Sequence, residues 1–317
     1  MSKKQVEHRI REQGFALVVV IMVMLLISFL AAELTLSVRT DQQIAFHAKA
    51  RAAGICLASG GVNMGIFHLL DKPAAIIEGE DDFFLGRTYE EILENGRISY
   101  YVVSESGKIN LNKFNKKILA LFLESMNIDE EQQTIIKDSL LDWQDSNDLH
   151  RLNGAESDYY ESLDDPYIPR NGNIQDPSEF FLVRGTEELA GKFVAADIFT
   201  VHNRSDSINF NSLSPLMLDF LTQGDKEKKE AYREARDTHE VMTASLAHQI
   251  LGDERFAACS SALVYKKDSS KVYTIVAKGE PGRMVEEKFK PEGRATEVRA
   301  LIELRGDKVR YLAWQEN

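Results

Sequence analysis

Gly-Phe-Ala-Leu-Val-Val-Val-Ile-Met-Val-Met-Leu-Leu-Ile-Ser-Phe-Leu-Ala-Ala, from Gly14 to Ala32, carries no charge and no proline. The apolar run from Phe15 to Ala32 is about 18 residues long, near the minimum that crosses a bilayer as a helix. A polar leader precedes it with Lys3, Lys4, Arg9 and Arg11. A positive flank stays on the cytoplasmic side, which sends the remainder of the chain outward. A cleaved secretory signal would end in small residues, and Phe-Leu-Ala-Ala-Glu (29–33) fits that weakly. A plain signal anchor fits the hydropathy equally well.

A third reading starts from Gln13-Gly14-Phe15, a glycine followed by an aromatic residue at the head of the run. This junction resembles the type III signal of type IV pilins and pseudopilins. The resemblance implies that a prepilin peptidase cuts after Gly14 on the cytoplasmic side and leaves Phe15 as the mature terminus. The apolar helix is then retained. Most members of that family carry glutamate at the fifth mature position, where this chain has Val19. The leader alone does not decide among the three readings.

The chain has 317 residues, with 50 acidic side chains against 38 Lys and Arg. The net charge of −12 argues against a nucleic-acid partner. It fits an exported surface, or a cation site if the acids cluster. Cys56 and Cys259 are far apart in sequence. One disulfide is an option in an oxidising compartment, but Cys56 sits in an apolar helical pattern, which favours two free thiols.

Beyond Ala32 the helix has no reason to stop before Pro73. Ile55, Ala58, Val62, Ile66 and Leu69 fall on one helical stripe. Gly54, Gly60, Gly61 and Gly65 lower helix propensity there, and the compensation expected for them is close approach to a packed sheet. A continuous helix from Phe15 to Leu70 spans roughly 80 Å. Glu78 to Asn95 reads as acidic and irregular, and Arg97 to Ser104 as a strand. At the other end, 272–278, 284–289, 296–304 and 308–314 alternate apolar and polar residues. Gly-Glu-Pro-Gly (279–282), 291–293 and Gly306-Asp307 read as the turns between them. The predicted sheet is antiparallel, includes the strand near Ile98, and is covered by the N-terminal helix.

Ser106-Gly-Lys-Ile-Asn-Leu-Asn112 recurs as Ser205-Asp-Ser-Ile-Asn-Phe-Asn211. Phe114, Leu119 and Phe122 then match Leu213, Leu218 and Leu221. Each copy reads as a short extended piece whose asparagines turn the chain into an amphipathic helix. Between the copies, helices are expected over Asp129–Trp143 and Pro177–Gly185, the second burying Phe180, Phe181 and Leu182. The run 225–230 reads as a solvated face.

Between 138 and 165 the acids are Asp138, Asp142, Asp145, Asp148, Glu156, Asp158, Glu161, Asp164 and Asp165, opposed only by Arg151. The stretch 144–172 has loop character. Carboxylates crowded in a loop repel one another unless a cation binds, and Ca²⁺ takes six to eight oxygens from such loops. The oxygen set of Asp142, Asp145, Asp148, Glu156 and Asp158 favours Ca²⁺ over zinc, with Asp164 and Asp165 secondary. Spacing alone leaves a merely hydrated acidic loop as an equal reading.

Asp-Trp-Gln-Asp-Ser-Asn-Asp (142–148), Asn-Gly-Ala-Glu-Ser-Asp-Tyr-Tyr (153–160), Pro-Tyr-Ile-Pro-Arg-Asn (166–171) and Glu-Phe-Phe-Leu-Val-Arg-Gly (179–185) resemble the minor pseudopilin K family of type II secretion, as do both Ile-Asn-x-Asn copies. Absence of glutamate at Val19 agrees with that family, which occupies a fibre tip. The resemblance implies an α+β pseudopilin fold, with a long N-terminal helix packed on an antiparallel sheet and a large inserted α-helical domain that binds calcium. It also implies methylation of the Phe15 amine and the minor pseudopilins I and J as partners, alongside other pseudopilus subunits and the prepilin peptidase. The expected division is leader 1–14, transmembrane helix 15–32, helix and first strand 33–105, inserted helical domain 106–252 and C-terminal sheet 253–317. The expected place is the inner membrane, crossed once, with the C-terminal domain in the periplasm.

Enzyme motifs are missing from the sequence: there is no Walker loop, Gly-x-Ser-x-Gly, His-Glu-x-x-His or Cys-x-x-Cys. Asp145 with Glu156 as a glycosidase pair lacks an aromatic sugar platform. The resemblance implies a non-enzymatic subunit that caps the pseudopilus and initiates its assembly, and the missing motifs agree with it. A minor pilin of a type IV pilus and a membrane-anchored periplasmic enzyme are the alternatives.

Overall fold

The structure is a computed structural model describing residues 3–70, 83–203, 205–238, 241–268 and 270–317, with side chains from Leu17 onward. Helix α1 (Lys3–Leu70) leads to strands β1 (Tyr89–Leu93) and β2 (Gly96–Ser104). A helical domain follows, built from β3 (Ile109–Asn110), α2 (Lys116–Ser125), α3 (Glu130–Asp142), α4 (Ser157–Glu161), α5 (Ala195–Ile198) and β4 (Phe199–Thr200). It continues through β5 (Ile208–Asn209), α6 (Pro215–Thr222), α7 (Lys226–Thr238), α8 (Ala244–Leu251), α9 (Asp253–Cys259) and β6 (Leu263–Val264). The chain then returns to the sheet as β7 (Val272–Val285), β8 (Lys288–Pro291), β9 (Thr296–Arg305) and β10 (Lys308–Glu316).

The main sheet runs β1-β2-β7-β9-β10, all pairs antiparallel, with β8 on the far half of β7. Because side chains alternate along a strand, one face presents Ile98, Tyr100, Val102, Ile275, Ala277, Val298, Ala300 and Ile302, all buried. The α1 stripe of Leu57, Ala58 and Val62 closes that face. The expected cover is thus present, and so is the close approach of the glycines. A Cβ on Gly61 would lie 2.8 Å from Ile98 Cγ2 and 2.9 Å from Ala277 Cβ, and one on Gly65 3.0 Å from Ile275 and Val102.

Two expectations for this half are corrected. Residues 89–93, read as irregular, form β1, an edge strand whose outer residues are solvated and so lack the alternation that reveals a half-buried strand. Gly279 to Gly282 is not a turn. Strand β7 runs through it because Gly279 lies against the α1 backbone and Pro281 keeps an extended register with Gly96. The reversal comes instead at Glu286 and Glu287, both at positive φ. Helix α1 ends its described course at Leu70, and the expected stop at Pro73 lies outside the described residues, as does the start of the stretch from Glu78.

The glycine contacts also fix direction. Moving along α1 from Gly54 to Gly65, the neighbours pass from Gly279 through Ala277 to Ile275 on β7, and from Ile98 to Val102 on β2. The exit from β2 at Ser104 and the return at Val272 therefore lie at the Leu70 end of α1, opposite the apolar stretch. The helical domain leaves the sheet there. Asp197 on α5 pairs with Arg299 on β9 at 2.5 Å and ties the two halves together. Lys108, buried beside Glu105 and Thr274, does the same at the junction.

The duplicated words become duplicated structure. Asn110 and Asn209 each accept from the N–H two residues on and start a short 3₁₀ turn, with nearly equal dihedrals. Asn112 then pins Ile174 through both its N–H and its carbonyl, and Asn211 pins Met242 in the same two ways. Each copy is closed by a parallel two-residue bridge, β3 with β4 and β5 with β6. The core of the helical domain also takes in Cys259, Ala262 and Leu263, so the domain extends past the expected limit at 252. Helix α9 and β6 complete the second copy, which explains the longer reach. In the segment from Pro177, Phe180 is buried, Phe181 only half so, and Leu182 is exposed, because the turn is 3₁₀ with a threefold repeat that carries Leu182 off the buried face. Cys56 is exposed, Cys259 is buried, and both are free thiols.

Candidate metal centre and family

Helix α3 starts on the Asp129 cap, whose carboxylate accepts from Gln132 N–H, and ends with Asp142 fully buried. Its C-terminal carbonyls favour positive charge nearby. The chain loops out through Asp145 and Asp148 and returns through Arg151 to Gly154. Glu156 then sits at the head of α4, 1% exposed. Asp142, Asp145 and Glu156 each place a carboxylate oxygen within 4.8 Å of the others. Gly154 is required for this closure, since a Cβ there would overlap the Asp142 carboxylate at 1.8 Å.

An aromatic frame holds the loop. Trp143 meets the buried Tyr160 edge-on at 5.1 Å between ring centroids, and Tyr160 meets Tyr167 at 5.3 Å. Arg184 lies 4.7 Å over the Tyr159 ring and donates to Gly154 O. The tyrosines pack the loop.

Two carboxylates of the three have partners. Asp142 Oδ2 accepts from Arg151 N–H at 3.0 Å, and Asp142 Oδ1 from the Arg151 guanidinium. Asp145 Oδ2 accepts from the same guanidinium nitrogen at 2.8 Å. Glu156 has none: both its oxygens are buried with no hydrogen-bond partner among the described residues. Burial, then the charges of Asp142, Asp145 and Asp148, push its pKa up to about 7, against a smaller opposing pull from Arg151. Leaving a buried carboxylate unpaired is costly, so the arrangement suits an additional cation.

Two of the five expected ligands stay outside the cluster. Asp158 is exposed in the first turn of α4 and accepts from Tyr159 N–H. Asp148 is exposed and accepts from Ser157 Oγ at 3.3 Å, near enough to act on Glu156 by charge alone. Asp164 and Asp165 are exposed. Arg151 is the residue whose role sequence reading missed. It stood out only as the single base among the acids, and nothing local showed it turning inward. The backbone of Gly14 and Phe15 lies within α1, and their side chains lie outside the described residues.

Residues 101–191, which contain this loop, match the family model described as type II secretion system protein K. The type II secretion system protein K of Klebsiella pneumoniae is 25% identical over 224 residues, spanning 65% of this chain and 68% of that protein. Over these residues the chain is similar to the protein K family of type II secretion. The fold agrees with the solved GspK-GspI-GspJ complex from enterotoxigenic Escherichia coli. There one chain superposes with a TM-score of 0.52 at 14% identity, covering 89% of this chain and 99% of that one. Among the described residues one helix is long and apolar enough to cross a membrane, its span starting at Leu17.

Proposed function

We propose that the chain caps the tip of the type II secretion pseudopilus and initiates its assembly together with the minor pseudopilins I and J. It does so anchored in the inner membrane with its globular part in the periplasm. The observation that carries this is the placement of the helical domain at the end of α1 opposite the apolar stretch. In a fibre of subunits stacked along their helices, a domain there occupies the space a preceding subunit would need. Val19 agrees: a glutamate in that membrane position would need an amine ahead of it, and an unpaired carboxylate within a bilayer is expensive. Site-specific crosslinking on intact pseudopili is expected to place the chain at one end, joined to the two minor partners. Crosslinks between copies of this chain along the shaft would overturn the assignment.

The acidic loop is proposed as a Ca²⁺ site of three carboxylates, Asp142, Asp145 and Glu156. The two orphaned oxygens of Glu156 are what support it. Three carboxylates offer up to six oxygens to a hard cation, in keeping with the six to eight Ca²⁺ takes. Bound there, the ion supplies the charge that Arg151 alone does not and adds stability by linkage. Asp148 contributes to the local potential without entering the ligand set.

A further inference from the structure

We infer that Arg151 is a tethered counter-cation that occupies the Asp142–Asp145 pair in the metal-free protein and is displaced when a divalent ion binds, so that it sets the concentration at which the site fills. The inference rests on the metal reading above and adds a competitor to it. One guanidinium nitrogen touches both carboxylates, standing where a metal would bridge them. The same guanidinium leaves Glu156 without a partner, so it neutralises the cluster only in part. A divalent ion carries twice the charge and reaches all three carboxylates. It cannot share their inner edge with the guanidinium, because cations a few ångströms apart repel strongly even at a moderate dielectric.

The geometry gives Arg151 a way out. Its side chain is 39% exposed while Asp142 is fully buried, so the guanidinium is free to swing into solvent without unpacking the core. The loop is held independently of that side chain. Arg151 N–H donates to Asp142 Oδ2, Gly154 N–H to Arg151 O, and Arg184 to Gly154 O. Displacement therefore exchanges one counter-ion for another within a fixed backbone. A ligand that must first expel an internal occupant binds more weakly by the fraction of molecules in the open state.

The test is calorimetric titration of CaCl₂ into the metal-stripped full-length chain in detergent, for the natural protein, Arg151→Gln, Arg151→Lys and, as a distant charge control on β10, Arg310→Gln. Arg151→Gln is expected to tighten the dissociation constant about tenfold, since it removes the competitor and its repulsion. Arg151→Lys, a point charge without the planar fork, should fall between the two, and Arg310→Gln should match the natural protein. Without metal, Arg151→Gln should melt below the natural protein, and the gap should close at saturating Ca²⁺. An unchanged or weaker dissociation constant in Arg151→Gln would show Arg151 to be an organiser of the site and overturn the inference. Failure of the natural protein itself to bind would remove the metal reading, and the inference with it, a separate result visible in the first titration.

Discussion

Gly61→Leu is expected to lower the stability of the sheet domain by about 3 kcal/mol or more. A Cβ alone at this position would stand 2.8 Å from Ile98 and 2.9 Å from Ala277, and leucine adds three further carbons to a face without space for the first. Ile98 and Ala277 lie on the central strands β2 and β7, so relief requires α1 to lift from the sheet or the strands to part. Lifting α1 exposes Ala58 and Val62, both fully buried. For a protein of this size the loss corresponds to a melting shift of roughly 6–12 °C. Gly60→Ala is the control. Its Cβ would meet only Ile98 Cδ1 at 3.4 Å, an ordinary contact. Alanine gains up to about 1 kcal/mol of helix propensity, so that variant should be neutral or slightly stabilised. A Gly61→Leu protein melting within two or so degrees of the natural one, on the scale above, would show that the helix does not sit on this sheet.

Gly14→Ala is expected to abolish removal of the leader. The prepilin reading of the Gln13-Gly14-Phe15 junction assigns cleavage after Gly14 and methylation of the Phe15 amine. Both are proposals for residues whose side chains the structure does not describe. The consequence for assembly follows from charge. On the fibre role proposed above, α1 must be drawn out of the bilayer, and an uncut chain drags Lys3, Lys4, Arg9 and Arg11 with it. At about 2.5–3.5 kcal/mol for each basic residue passing the membrane centre, the retained leader opposes extraction strongly. The variant should therefore accumulate as full-length precursor in the inner membrane and be absent from sheared pseudopili. Sequencing of mature natural protein that begins near Glu33 would show an ordinary secretory signal and remove the pilin reading.

The long helix, the sheet and the duplicated words were legible because each rests on a local pattern. The α1 stripe follows the helical period, β2, β9 and β10 alternate, and the Ile-Asn-x-Asn words recur in the same register. What was not legible depends on partners distant in sequence. Strand β1 forms because β2 is beside it, and its own outer residues face water. The straight course of β7 through Gly279 and Pro281 is dictated by the α1 backbone packed on that glycine. In the acidic loop the residue types pointed to a cation, but the sorting of ligands did not follow from them. Asp142 and Glu156 are buried and Asp148 and Asp158 are exposed because α3, Gly154 and the Trp143–Tyr160 frame decide which carboxylates turn inward.

A bound cation at Asp142, Asp145 and Glu156 is the claim on which both the metal reading and the role of Arg151 depend. Thermal melting of the full-length chain in detergent, stripped of metal and then titrated with Ca²⁺, tests it directly. The melting temperature should rise with Ca²⁺, by linkage amounting to about 2.7 kcal/mol at a hundredfold excess over the dissociation constant, and return on adding chelator. Glu156→Gln keeps the shape of the side chain, removes the charge that the buried site leaves unpaired, and should abolish most of the rise while the metal-free protein stays folded. Identical melting of the natural protein with Ca²⁺ and with chelator would contradict the account and leave the cluster as an acidic loop neutralised by Arg151 alone.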